Sequence, residues 1–566
     1  VFASAASALA HGGGYNEPGA PGDPGPPLGP PWRPPHIVDP PATPGSNDPK
    51  VAGTRWETWW AANKDAWLRL PERLAGAAPN TTPNVAPPSD RAAKAADKRE
   101  DALRARLAAL FVEALSDEEF EVRTAAAIAL GKTGDASGAA PLRLAATTDP
   151  HKDVRDSAVL GLGLLGRPTE IPFLERMLFD RSELPRRRAF AAFSLGLIGG
   201  DDAAVTLLRF VDGPPEGRPV EDLHKRHELA ASTFLAMGLT GSADVLPTLR
   251  AVVVDRRYDE GVRAFAIISL GRMKDRGALA LVQTALVSER DAALRRAGAV
   301  ALGRIAAAGD ASAVSALASA MADDKDAITR HFATMSLGGI RDPKVRDVLR
   351  EQFRRGGDVD APFAAIALAM QRDLDFAPEL RAALESQTDE SAAGGLCIAL
   401  GLLGDAASAP TLEKTLARAK RIWLQGYAAI SLGLVGATGS IKTIKDRMRT
   451  EPDPRLRINL AIALGLLRDP GARTYLVEKL RAAELFAERT SAAFALGALR
   501  YPSAAADIEV VYRDPKEKEI LRAFAVVALG EIADVSPVRK LARFSIDGNY
   551  DANARFDPVN EVLSIY

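Results

Sequence analysis

At 566 residues the chain is longer than a single hydrophobic core usually supports. Its 72 Lys and Arg against 73 Asp and Glu argue against a dedicated nucleic-acid binder, which carries a basic excess. One cysteine, Cys397, rules out an intrachain disulfide; at an apolar position it reads as a small buried hydrophobe rather than a catalytic thiol.

The chain opens Val1-Phe-Ala-Ser-Ala-Ala-Ser-Ala-Leu-Ala10, which reads as the end of a signal-peptide apolar region. Ala8-Leu9-Ala10 fits the small-x-small cleavage rule, so we expect a periplasmic or secreted protein whose mature chain begins at His11. Residues 11–53 form the next segment. Its first forty residues, 11–50, hold 13 Pro and 8 Gly and read as a disordered tether or spacer. No other stretch has the ~18 consecutive apolar residues of a membrane span.

Four of the six Trp follow, in Thr54-Arg-Trp-Glu-Thr-Trp-Trp-Ala-Ala-Asn-Lys-Asp-Ala-Trp67. Thr54 and Glu57 form a capping box, and Trp56, Trp60 and Trp67 recur at helical spacing. Residues 54–75 therefore predict an amphipathic helix covering the open end of whatever follows, or alternatively a Trp-rich binding face. The candidate protein-binding residues are Trp56, Trp59, Trp60, Trp67 and the distant Trp423. Residues 76–90 read as a linker.

From residue 91 to 545 the chain is periodic. A Leu-Gly signature, clearest in Cys397-Ile-Ala-Leu-Gly-Leu-Leu-Gly-Asp405, recurs with anchors at 131, 163, 196, 238, 271, 303, 338, 369, 401, 433, 465, 497 and 530, with Ala replacing Gly at 369. Spacings of about 32 residues accommodate two short helices and two turns, giving an all-α solenoid of about thirteen two-helix units, expected to be right-handed. The longer step between Gly196 and Gly238 is absorbed by the loop-like Asp212–Pro219. A Gly near a helix end costs about 1 kcal/mol against Ala, so its recurrence predicts a close backbone approach or a helix-end turn. The Asp that follows many anchors suits a turn or an N-cap.

Eight residues before the anchors stand Arg123, Arg155, Arg188, Arg263, Arg295, Arg330, Arg457, Arg489 and Arg522. We read this ladder as structural, joining helix ends and acidic groups of neighbouring units, with a polyanion track as the alternative. It is broken at Ala230 and, in three consecutive units, at Ala361, Ala393 and Gln425. The middle of the array therefore differs from its ends, as a hinge or a binding patch would.

Residues 105–545, through the pattern Val-Arg-x-x-Ala-Ala-x-Ala-Leu-Gly from Val122 to Gly131, resemble a HEAT-repeat solenoid of the phycobilisome-lyase HEAT-like kind. The leader, the Pro/Gly tail and the segment from Trp56 to Lys64 are similar to those of secreted bacterial HEAT proteins of unassigned role. That resemblance implies a binding scaffold and supplies no catalytic residue.

The remaining candidates carry little chemistry. His224 and His227 could present two metal ligands at i, i+3 on a helix, but a charged, solvated face is the reading we adopt. Arg186-Arg-Arg188 and the group Arg418, Lys420, Arg421 and Trp423 read as local surface. Asp547-Gly-Asn-Tyr-Asp-Ala-Asn553 opens like a calcium loop but departs at Ala552 and Pro558, so it reads as a capping turn within a C-terminal cap, 546–566. We assign no catalytic residue, metal or cofactor. The expected function is a non-catalytic protein-interaction scaffold with a protein partner and no nucleic acid. The alternatives are a lyase-like or accessory enzyme acting on a small ligand in the concave groove, and a polyanion binder.

Overall fold

The structure, a computed structural model, describes residues 56, 90–213 and 222–534. The leader, the tether, most of the Trp-rich segment, the 212–219 insertion beyond Gly213 and the C-terminal cap lie outside the described residues. Those described form α-helices, short 3-10 turns and connecting loops, with no strand among them.

Among the described residues from 90 onward the helices fall into thirteen pairs. The first of each pair is α1 (Asp90–Ala114), α3 (Ala139–Thr148), α5 (Ile171–Phe179), α7 (Gly200–Asp212), α9 (Leu246–Val254), α11 (Leu279–Ser288), α13 (Ala311–Asp323), α15 (Pro343–Arg355), α17 (Ala377–Ser386), α19 (Ala409–Arg418), α21 (Ile441–Thr450), α23 (Pro470–Ala482) and α25 (Ala505–Arg513). The second, bearing the Leu-Gly anchor, is α2 (Phe120–Thr133), α4 (Lys152–Leu165), α6 (Pro185–Ile198), α8 (His227–Thr240), α10 (Glu260–Arg272), α12 (Ala292–Ile305), α14 (Ala327–Gly339), α16 (Gly357–Met370), α18 (Glu390–Leu403), α20 (Ile422–Leu434), α22 (Pro454–Leu466), α24 (Phe486–Ala498) and α26 (Glu519–Ala533).

The recurring glycine has a steric reason. A Cβ on Gly163 would stand 2.7 Å from the Ser194 Cα, one on Gly271 2.5 Å from the Ala301 Cα, and one on Gly497 2.9 Å from the Ala528 Cα. In each case the neighbour is the small residue two places before the next anchor. Ser194 and Ser269 add a hydrogen bond, donating Oγ–H to Val159 O at 2.9 Å and to Phe234 O at 3.0 Å. The even-numbered helices therefore pack nearly backbone to backbone. In ten of the thirteen units the residue three past the anchor has a positive φ, as Gly404 does at +74°, where it closes the helix end.

The odd-numbered helices are held apart by long side chains. Arg143 reaches Glu170 at 2.7 Å, Arg250 pairs with Asp275, and Arg350 grips Asp373 through two bonds of 2.7 Å. Close packing on one side and long spacers on the other make each unit a wedge, with the Leu-Gly helices on the inner circle. The Asp after the anchor serves both tasks. Asp135, Asp342 and Asp469 accept backbone N–H groups at a helix start, while Asp373 and Asp405 take an arginine of the preceding unit.

The wedges close a full circle. A Cβ on Gly530, the last anchor, would stand 2.7 Å from the Ala129 Cβ, and Ala129 lies two residues before the first anchor. Lys132 pairs with the buried Glu531 on the inner circle. On the outer circle Arg513 pairs with Glu113 at 2.8 Å, and Arg106 pairs with Glu509. Thirteen units complete the ring, about 28° each. The expectation of two open ends, each needing a cap, is therefore corrected: unit thirteen uses unit one as its next neighbour.

Candidate functional site on the inner face of the ring

The ladder arginines join units and seal helix ends. Arg188 and Arg263 donate from Nε to Leu178 O and Val253 O, each at 2.8 Å. Arg155 and Arg330 donate to Asp149 O and Asp324 O. Arg123 reaches Asp149 at 2.8 Å, Arg295 reaches Asp324 at 2.8 Å, Arg457 reaches Glu488 at 2.8 Å, and Arg489 pairs with Glu517. Arg522 continues the series across the seam to Asp117. Guanidiniums committed in this way to carboxylates and carbonyls do not form an open track for an incoming polyanion.

Where the ladder is broken in consecutive units, something else sits. Trp56 is only 2 % exposed, and its indole Nε1–H donates to Ser391 O at 2.8 Å. Its ring lies 5.0 Å from that of Tyr427, tilted by 56°. A Cβ on Gly394 would stand 2.9 Å from both Trp56 Cζ2 and Tyr427 Cδ2; one on Gly395 would stand 2.5 Å from Pro362 Cβ and 3.3 Å from Trp56 Cδ2. Three inner helices thus supply the pocket: α16 through Pro362, α18 through Ser391, Gly394 and Gly395, and α20 through Tyr427.

The pocket faces the ring axis. In α12, Gly298 meets its outer partner at Leu286, where a Cβ would stand 2.8 Å from the Leu286 nitrogen. A helix turns about 100° per residue, so the position two residues earlier points away from the outer helices. Gly394 and Pro362 occupy that position in their own units.

The structure places the predicted residues unevenly. Trp56 lies on units eight to ten, in mid-array, rather than at an end of the repeats as the capping expectation had it. Trp423 packs edge-on against Tyr427 at 6.0 Å, so Trp56 and Trp423 flank one tyrosine. Trp59, Trp60 and Trp67 lie outside the described residues. Tyr427, Gly394, Gly395, Pro362 and Ser391 were missed. The usable signal was the run Ala361, Ala393 and Gln425, whose sequence neighbours build the pocket.

The other candidates are engaged locally. His224 lies in a 3-10 turn and His227 opens α8, so the two do not share one helix face as the i, i+3 reading required. His224 sits between Asp222 at 3.2 Å and Asp255 at 3.3 Å and stacks on Tyr258. No group of three metal-capable side chains occurs among the described residues. Cys397 is fully buried, and that burial pushes its thiol far up. Arg186 and Arg187 converge on Asp156 at 3.1 and 3.3 Å. Arg418 donates to Leu384 O at 2.6 Å. His331 is buried at the junction with the next unit, paired with Asp360 at 2.8 Å and stacked on Phe363. The calcium-like loop lies outside the described residues. No helix among those described is long and apolar enough to cross a membrane.

Paired helices repeating along one chain define an α-solenoid, here closed into a ring. A family model for HEAT repeats matches residues 139–219, 221–303 and 284–362. Residues 139–362 thus carry HEAT repeats, and the same helix pairs continue on either side of them. No curated protein matches the chain in sequence. Among solved structures it is similar to human deoxyhypusine hydroxylase, with 19 % identity, 53 % of this chain and 96 % of that one covered, and a TM-score of 0.22. It is similar to the CpcE–CpcF complex of phycocyanin lyase from Nostoc sp., with 24 % identity, 44 % and 86 % covered, and a TM-score of 0.27. It is also similar to the karyopherin Kap121p bound to the extreme C-terminus of the phosphatase Cdc14p, with 12 % identity and a TM-score of 0.35. There the match covers 82 % of this chain and 55 % of the karyopherin.

Proposed function

We propose that the protein is a non-catalytic interaction scaffold that works outside the cytoplasm and binds a protein partner on the inner face of its ring. One observation carries this reading: the inner face already holds a side chain from a distant segment, Trp56, in a buried, hydrogen-bonded pocket. A surface that seats one polypeptide side chain in this way has the features of a peptide-recognition site, an apolar floor with a directed polar contact. The lone thiol, buried and pushed up, offers no reactive nucleophile, which weighs against a cysteine-based activity. Periplasmic or secreted location is part of the proposal and rests on the reading of residues 1–10.

In-cell photo-crosslinking tests it, with the probe residue placed at the exposed Val359 of α16, three residues before Pro362 on the same helix face, and, as a control, at the exposed Val287 of the outer circle. The expected result is a reproducible, stoichiometric protein adduct from the inner probe, recovered in the envelope or medium fraction. A monomeric protein without adducts that instead binds a small molecule or glycan would overturn it.

A further inference from the structure

Units eight to ten break several local rules at one place. Gly394 and Gly395 stand side by side inside α18, and Pro362 stands inside α16, where each disfavours the helix. The same three units forgo the arginine that ties their neighbours together. The glycines and the proline serve the indole, whereas Gln425 keeps the ladder's contact by donating to Ala419 O at 2.8 Å. The glycines leave the volume that Trp56 fills, Pro362 lines one wall, Tyr427 closes the other, and Ser391 O accepts the ring N–H. Local violations gathered around one buried group mark a functional site rather than packing error.

The occupant comes from far away. Trp56 is separated from α1 by residues 57–89, and α1 belongs to unit one beside the seam, whereas the pocket spans units eight to ten. Those residues could span ~110 Å fully extended. An occupant that belongs to the same chain competes intramolecularly and has an advantage over a free competitor. It therefore excludes weak competitors, yet yields to a partner that adds contacts of its own beyond the indole.

We propose that the inner face of units eight to ten is a tryptophan-recognition site for a partner protein's segment, and that Trp56 is its tethered, displaceable occupant. The inference rests on the scaffold reading only in requiring a partner; the pocket can be tested with purified components. The probe is a labelled peptide of residues 51–67, and a second peptide carrying W56A, each titrated against the full-length wild-type chain and the full-length W56A chain. The W56A chain is expected to bind the first peptide at least tenfold more tightly than the wild type does, and to bind the second at least tenfold more weakly than the first. A G394L change added to the W56A chain is expected to abolish that gain, because its side chain fills the pocket. Equal affinity of both chains, or no dependence on the peptide's Trp56, overturns the proposal. Should the W56A chain fail to fold, W56F replaces it; this variant keeps a ring in the pocket but loses the bond to Ser391. A gain in the same direction is then expected, about threefold, and no gain overturns the proposal. Partner capture in cells without peptide binding would remove the indole site and leave the scaffold; peptide binding without capture would do the reverse.

Discussion

Two interfaces of the ring make opposite use of chain connectivity. Between units thirteen and one no loop joins the partners, yet every device of an ordinary junction is present: Gly530 against Ala129, Arg522 to Asp117, Lys132 to Glu531 and Arg513 to Glu113. At units eight to ten the chain is continuous and outer-circle pairs such as Arg350 with Asp373 remain, yet the ladder arginine is absent and a residue from outside the array, Trp56, packs on the inner face. Side-chain chemistry, not covalent linkage, decides what holds neighbouring units together. The seam repeats the general rule, and the indole pocket departs from it.

Emptying the pocket should produce the largest effect. W56A removes a fully enclosed indole and leaves the cavity behind, a change worth about 3–5 kcal/mol in well-packed sites. We expect amide protection in α18 and α20 to fall, and to recover when the 51–67 peptide refills the pocket, while the seam helices α2 and α26 keep theirs. Uniform loss of protection around the ring would erase the contrast between the two regions.

The seam is tested by G530L against G401L. Both add bulk against the next unit; the Gly530 Cβ would meet Ala129 at 2.7 Å and the Gly401 Cβ would meet Ser431 at 2.9 Å. Overpacking of this kind costs about 1–3 kcal/mol. Only at the seam can the ring relieve it by opening, so G530L should raise the radius of gyration in small-angle scattering and G401L should not.

A smaller effect is expected from R522M, which strips Asp117 of its guanidinium and Tyr512 O of its donor. A partly buried, charge-assisted bond is worth about 2 kcal/mol. Its partner experiment is R295M, which removes the Asp324 pair within the continuous chain. Both should lower the thermal midpoint, but only R522M should make closure sensitive to salt.

Acid should act most gently and away from both regions, between units six and seven. Burial pushes the Asp326 carboxyl up, but hydrogen bonds from Arg296 and Thr329 outweigh that and hold it at about 2. A depressed carboxylate contributes stability that is fully present above its unfolded value near 4 and is lost as pH falls toward 2. D326N should therefore flatten the acid limb of the stability profile between about pH 4 and pH 2 without altering the pocket or the seam. An unchanged acid limb in D326N would show that other carboxylates govern this window.

Much of the fold was legible in the sequence. The thirteen anchors, the two helices per unit and the arginine ladder are strictly local regularities, and a helix with small residues at fixed spacing has few ways to pack on a copy of itself. For the recurring glycine the sequence offered two reasons, a close backbone approach or a helix-end turn, and the contacts with the next unit selected the first. The break at Ala361, Ala393 and Gln425 marked the place of the candidate site without revealing its occupant.

Closure and occupancy were decided only by the tertiary structure. Whether thirteen wedges complete a circle depends on a small angle per unit, summed around the ring and set by the difference between inner and outer packing. No single repeat encodes that sum. The partner of Trp56 was hidden for a related reason: Trp56 and Tyr427 are far apart in sequence, and a contact at that distance leaves no periodic trace. Local spacing determined what each unit is; the accumulated curvature, and the seating of Trp56 on units eight to ten, determined which parts of the chain meet.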